Sequence, residues 1–244
     1  IGGVNSIYGF AGIYDGNGKS ISNLNVPHLF NAVTGEIRNL TLAESCTFKN
    51  ASVARWLVGG KVFNCKNYGS ILPTFNGTDW SNNANAGGIV QTAESGAEIL
   101  GCENYGKIEI QSDKTNFSRI GGIAASISNA VIRDCHNYGS LNAGKPAENY
   151  YGNTGNYAGG IVGRVTTAGI YKGNNRIIGC SNRGSVTAGG YVGGILAEIP
   201  NNSACNVLIE SCFNTGTLTA TNQTEDQHIG GIVGSGFDRI LNCY

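Results

Sequence analysis

Asn64-Cys65-Lys66-Asn67-Tyr68-Gly69-Ser70-Ile71 is the stretch on which the fold turns, because the chain keeps returning to it. It comes back as Gly101-Cys102-Glu103-Asn104-Tyr105-Gly106-Lys107-Ile108 and Asp134-Cys135-His136-Asn137-Tyr138-Gly139-Ser140-Leu141. Looser copies follow at Gly179-Cys180-Ser181-Asn182-Arg183-Gly184-Ser185-Val186 and Ser211-Cys212-Phe213-Asn214-Thr215-Gly216-Thr217-Leu218, and another begins at Asn242-Cys243. One short pattern recurring every thirty to forty-five residues or so is the signature of stacked supersecondary units.

Between these copies runs a second pattern: Gly87-Gly88-Ile89-Val90, Gly121-Gly122-Ile123-Ala124, Gly159-Gly160-Ile161-Val162, Gly193-Gly194-Ile195-Leu196 and Gly230-Gly231-Ile232-Val233, with Val58-Gly59-Gly60 a weaker sixth. Each repeat of about 35 residues thus holds two apolar blocks. If each block is one coil of about 18 residues, the chain is an all-β, single-stranded parallel β-helix of about a dozen coils, with strands spaced ~4.8 Å along a rod of about 55–60 Å. A right-handed solenoid is expected. Residues 1–244 read as one repeat domain, divergent over 1–57 and cut in mid-repeat at its C-terminal end; beginning at Ile1, it is expected to be a mature product or an excised piece. A β-propeller is the structural rival, but its blades need four strands per repeat.

Composition agrees with short strands and tight turns: 38 Gly, 4 Pro and no Met. Sixteen basic and sixteen acidic residues cancel, so the chain lacks the electrostatic footprint of a nucleic-acid binder. Its apolar runs are far shorter than the ~20 residues that cross a bilayer, so no direct membrane insertion is expected.

Eight cysteines raise the question of a disulfide framework. With the repeated Cys in every second coil, Cys65, Cys102, Cys135, Cys180, Cys212 and Cys243 would lie about 9–10 Å apart, beyond the ~7 Å limit for bridging. They are read as inward-facing small hydrophobes, leaving Cys46–Cys65 and Cys205–Cys212 as candidate bridges. No Cys-x-x-Cys occurs and only three His, so no metal site and no cofactor are expected. Asn67, Asn104, Asn137, Asn182 and Asn214 are expected in a turn, their amides bonding from coil to coil, with the following Gly supplying an unusual backbone conformation. Tyr68, Tyr105 and Tyr138 share one repeat position and could form an exposed ladder suited to sugar rings, or pack on turn neighbours. Asp15-Gly16-Asn17-Gly18 reads as a turn, since the further oxygen ligands of a calcium loop are missing.

Phe10-Ala11-Gly12-Ile13-Tyr14-Asp15-Gly16-Asn17-Gly18, Gly35-Glu36-Ile37-Arg38-Asn39-Leu40-Thr41-Leu42, and above all Gly160-Ile161-Val162-Gly163 and Gly231-Ile232-Val233-Gly234, resemble bacterial surface proteins carrying the GLUG motif. The chain departs from that pattern at Pro27-His28-Leu29-Phe30-Asn31, and Ala closes the motif at Ala125 and Ala197. The resemblance implies an extracellular or cell-surface, adhesin-like repeat region, of a kind also found flanking the catalytic region of some secreted proteases. It carries no catalytic residues with it.

Insertions at equivalent points of a solenoid emerge on one side, so the variable segments between the Cys unit and the next Gly-Gly are the place to look for a ligand. They would bring together Phe75, Asp79, Trp80, Phe117, Glu148, Tyr150, Tyr151 and Tyr157, with Asn83 and Asn156, a mixture of aromatic, amide and carboxylate groups. The first expectation is a non-enzymatic surface rod, part of a larger protein, presenting loops to a host or bacterial surface protein or glycan, or spacing another domain. A carbohydrate-binding module on the loop face stays open. So does a polysaccharide-degrading enzyme, although Asp79, Glu109, Asp113 and Glu148 show no grouping motif.

Overall fold

The computed structural model describes residues 9–73, 84–110, 118–144, 156–166, 173–200, 205–221, 228–236 and 238–244. Among these residues the strands form four sheets of thirteen, seven, six and five strands, paired in parallel throughout. One turn runs from the long sheet (Val90–Leu100) to the seven-stranded sheet (Glu103–Asn104), the six-stranded sheet (Ile108–Glu109) and the five-stranded sheet (Arg119–Gly121). It then returns to the long sheet at Ala124–Arg133. The molecule is therefore an all-β parallel solenoid, and the propeller is set aside.

Its turns are fewer and wider than the sequence suggested. Asn67, Asn104, Asn137, Asn182 and Asn214 pair directly on neighbouring strands, so each Cys-x-Asn-x-Gly copy marks every turn, not every second one. Four turns are complete, counted by the stacked rungs Gly87, Gly121, Gly159, Gly193 and Gly230. The stretch before Gly87 adds strands to the other three sheets and meets the five-stranded one through an Ala51–Gly87 bridge. The expected dozen coils fails because the two apolar blocks of a repeat are different sides of one turn. The seven-stranded sheet spans only about 30 Å at ~4.8 Å per strand.

β-Branched residues fill the core because they suit a pleated, packed strand. Val62, Ile99, Ile132, Ile177 and Ile209 stack in register and are wholly buried. The corner that follows them is made by a residue with positive φ immediately before each repeated cysteine: Asn64, Gly101, Asp134, Gly179, Ser211 and Asn242. Gly, Asn, Asp and Ser are the residues that tolerate it.

The repeated Asn is thus not a turn residue. It sits in a two-residue strand with its amide turned inward, fully buried at Asn67, Asn104, Asn137 and Asn182 and half-buried at Asn214. Coil-to-coil bonding does occur: each Nδ2 donates to the next Oδ1, Asn67 to Asn104 at 2.9 Å, Asn104 to Asn137 at 2.8 Å, Asn137 to Asn182 at 2.8 Å and Asn182 to Asn214 at 2.7 Å. The other N–H goes to the carbonyl of the Gly two residues on. That Gly does not have positive φ; a Cβ on Gly106, Gly139, Gly184 or Gly216 would collide with the preceding turn's glycine carbonyl.

The two sequence patterns meet inside the rod. A Cβ on Gly88, Gly122, Gly160 or Gly194 would collide with the side chain of Asn104, Asn137, Asn182 or Asn214 respectively. The Gly-Gly corner therefore dips into the core until it touches the asparagine ladder, which is why the motifs recur together. Val58-Gly59-Gly60 is not a copy of this corner. Ala54 pairs with Val90 and the Ser52 hydroxyl donates to Gly88 O at 2.5 Å, so Ala51-Ser52 stands where later turns have Gly-Gly.

All eight cysteines are free thiols, seven buried and Cys243 partly exposed, so neither candidate bridge is formed. The spacing argument is corrected: repeated cysteines lie on adjacent turns, and the backbone N–H of Cys102, Cys180 and Cys212 donates to the Sγ of Cys135, Cys212 and Cys243 at 3.4 Å each. Each repeated thiol also donates to the carbonyl two residues before it. Asp15 and Gly18 form the expected turn, with the Asn17 N–H donating to Asp15 Oδ1 at 2.8 Å and positive φ at Asn17 and Gly18.

Candidate functional site

Phe75, Asp79, Trp80, Phe117, Glu148, Tyr150 and Tyr151, together with Asn83 and Asp113, lie outside the described residues. Two of the expected loop-face groups are described, and neither sits on an exposed loop. Asn156 is fully buried, its Oδ1 accepting the Ser118 N–H at 3.1 Å and its Nδ2 donating to Ala143 O at 3.2 Å. Tyr157 opens the strand Tyr157–Gly159 and is only 7% exposed. Glu109 is half-buried and ion-paired with Lys107 at 2.9 Å.

Two side-chain arrays stand out on the described surface. The first follows the asparagine ladder. Because Tyr68, Tyr105 and Tyr138 come one residue after paired asparagines, the solenoid repeat brings their rings face to face, with centroids 4.6 Å apart and planes 6° from parallel. All three remain more than a third exposed. Arg183 continues the column, with its Cζ 5.9 Å from the Tyr138 ring centroid and 5.4 Å from that of Phe213. Their edges and hydroxyls face outward, but their faces cover one another, so stacking on sugar rings along this ladder is not available to them.

Ionic groups brace the ladder. The Tyr105 hydroxyl donates to Glu103 Oε2 at 2.6 Å, and Lys66 Nζ lies 3.0 Å from the same carboxylate. Burial alone would raise the Glu103 carboxyl, but the bonds from Tyr105 and Lys66 outweigh it and hold the group below its ordinary range. The hydrogen bond to Glu103 raises the Tyr105 phenol, and Lys66's own bond to Glu103 raises its ammonium.

The second array follows from the inward dip of the Gly-Gly corner, which leaves the outer surface indented. The residues on its two sides are always seven apart: Asn85 and Thr92, Arg119 and Ser126, Tyr157 and Arg164, Tyr191 and Glu198, His228 and Ser235. Tyr157, Tyr191 and His228 stack at 4.8 Å centroid spacing down one side. From the other side Arg164 places its Cζ 5.1 Å from the Tyr157 centroid and pairs with Glu198. Arg119 stands next to Tyr157 in the ladder and forms no ion pair among the described residues; its Nε is buried without a partner, as is Asn85 Oδ1. Burial, and after it the nearby Arg164 charge, push Arg119 below the ordinary arginine range. Burial, and after it the Glu198 carboxylate, push the Tyr157 phenol up to about 12.

The sequence reading missed this indentation, although the seven-residue spacing across each Gly-Gly was visible. Variable segments rejoin the rod just before its first column, at Ala84, Ser118 and Asn156. Among the described residues no three His, Cys, Asp or Glu side chains cluster closely enough to hold a metal ion, and no helix is long and apolar enough to cross a membrane.

No protein-family model matches the sequence, and no curated protein matches it. Among solved structures, the chain is similar to a protein of Bacteroides ovatus provisionally named an immunoglobulin A1 protease. The TM-score is 0.63 at 17% identity, covering 93% of this chain and 68% of that one. It is also similar to a structure named IgA1 protease, with a TM-score of 0.63 at 18% identity, covering 92% of this chain but only 16% of that one. At these identities the likeness establishes the fold. It also corrects the expectation of a non-enzymatic protein, since the solenoids that resemble this one carry the name of a protease.

Proposed function

We propose that this chain is a solenoid segment of an extracellular, protease-type protein, in which it holds a partner glycoprotein against the rod. The observation that carries this reading is the exposed tyrosine ladder. Tyr68, Tyr105 and Tyr138 present rigid aromatic edges backed by Arg183, and aromatic and arginine side chains whose conformations are already fixed are the groups that anchor protein interfaces at low entropic cost. The names of the structures it resembles support placing it in a protease-type protein. The in-register Gly-Gly-Ile corners support membership of the GLUG-motif surface proteins. A right-handed coil is the sense that parallel crossover connections favour.

Immunoglobulin A1 is the first partner to test. Immobilised chain is expected to bind it, and replacing Tyr68, Tyr105 and Tyr138 together by Ser is expected to weaken binding at least tenfold while the circular dichroism spectrum stays that of the parent. Binding unchanged in the triple variant, or absent in the parent chain, would overturn the reading.

A further inference from the structure

We infer that the indentation formed by the Gly-Gly corners binds the carboxylate of an acidic sugar, with Arg119 as the charged anchor and the hydroxyl and amide groups of the two facing columns as its neutral partners. This rests on the reading of the rod as a binding segment, but it uses a different surface from the tyrosine ladder.

Among the described residues Arg119 and Arg164 share the indentation with one carboxylate, Glu198, and that carboxylate is already paired with Arg164. Arg119 forms no ion pair among the described residues to offset its burial, although it is partly desolvated, its buried Nε is unpartnered and a like charge stands beside it. Guanidinium matches a carboxylate in a two-bond fork.

The remaining columns decide what bears the carboxylate. Asn85, Thr92, Tyr191 and Ser235, all partly exposed, offer donors or acceptors at one or more steps of ~4.8 Å from one another along the rod, while Ser126 and Tyr157 between them are buried. That period suits a polyhydroxylated ligand running parallel to the axis. A peptide would need a free strand edge or apolar side-chain pockets. The indentation offers neither edge: the strands on both its sides are paired to the turns above and below. Because the aromatic faces in the column cover each other, recognition falls to hydrogen bonds and charge, with ring stacking excluded between Tyr157, Tyr191 and His228.

Uronates and sialates share the required carboxylate, so both belong in the test. Calorimetric titrations of the chain would use a galacturonate hexamer, its methyl ester, sialyllactose, lactose and a glutamate hexamer. The expected result is binding of at least one carboxylated sugar, at least tenfold tighter than its neutral counterpart and weakened by salt. Arg119→Gln should cost at least tenfold, and Arg119→Lys should retain part of the affinity. The tyrosine-ladder triple variant should bind these sugars as the parent does, so that failure here and failure of the glycoprotein-holding reading are separable. Three results would each overturn the proposal: neither acidic sugar bound, ester or lactose bound equally well, or Arg119→Gln without effect. Tighter binding of the glutamate hexamer would overturn it in favour of an acidic peptide.

Discussion

Asn137 shows what a single repeat residue does in this rod. Its Nδ2 donates to Asn182 Oδ1 and Gly139 O, and its Oδ1 accepts from Asn104, so Asn137→Leu orphans groups on three sides at roughly 1–3 kcal/mol each. Asn214→Leu should be milder, because the ladder ends there and the side chain is only half-buried, so water can take up the groups it leaves. Chemical denaturation is expected to rank Asn137→Leu well below Asn214→Leu; equal midpoints would contradict the burial of the ladder's middle. The cysteines give a second check at this scale. Under native conditions one thiol, Cys243, should label quickly and the seven buried ones only on unfolding. Rapid labelling of several would contradict a closed core. The inward Cys was legible from its recurrence alone. Its left-handed predecessor was not, because Asn, Gly, Asp and Ser alternate there and no one residue type repeats.

At the scale of an element, each strand corner depends on its opposite number across the core. Gly122→Ala would drive a Cβ into both the Gly160 carbonyl and the Asn137 side chain. It should destabilise the rod strongly, and less so in an Asn137→Ala background, where part of the collision is gone. A double-mutant cycle is expected to give a coupling above about 0.5 kcal/mol, and strict additivity would refute the contact. Titration probes the braced tyrosine edge in the same way. The Glu103 pKa is lowered in the fold, so its contribution is present above the ordinary carboxyl value near ~4.3 and is lost as pH falls through the lowered one. Glu103→Gln should therefore flatten the acid limb of the stability profile; an unchanged limb would place the effect elsewhere. The sequence showed both motifs but gave no sign that they touch, since 15 to 22 residues separate each Gly from its Asn. The indentation was hidden for the same reason: the notion of one coil per apolar block put its two sides on different turns.

For the whole molecule, the decisive quantity is how far the rod advances per repeat. All-β parallel stacking was legible from the repeat and the composition. Turn size was not, because a period of apolar blocks does not say whether two blocks lie on successive turns or on two sides of one. Direct pairing of Asn67 with Asn104 makes the advance one strand spacing per Cys-x-Asn-x-Gly copy. Surface positions 68 and 183, three copies apart, should then lie about 14 Å apart along the axis, against about 29 Å if each copy spanned two turns. Spin labels placed by Tyr68→Cys and Arg183→Cys in a Cys243→Ser background report that separation by dipolar coupling. The shorter distance is expected, and a distribution centred near the longer one would contradict an advance of one strand spacing per copy.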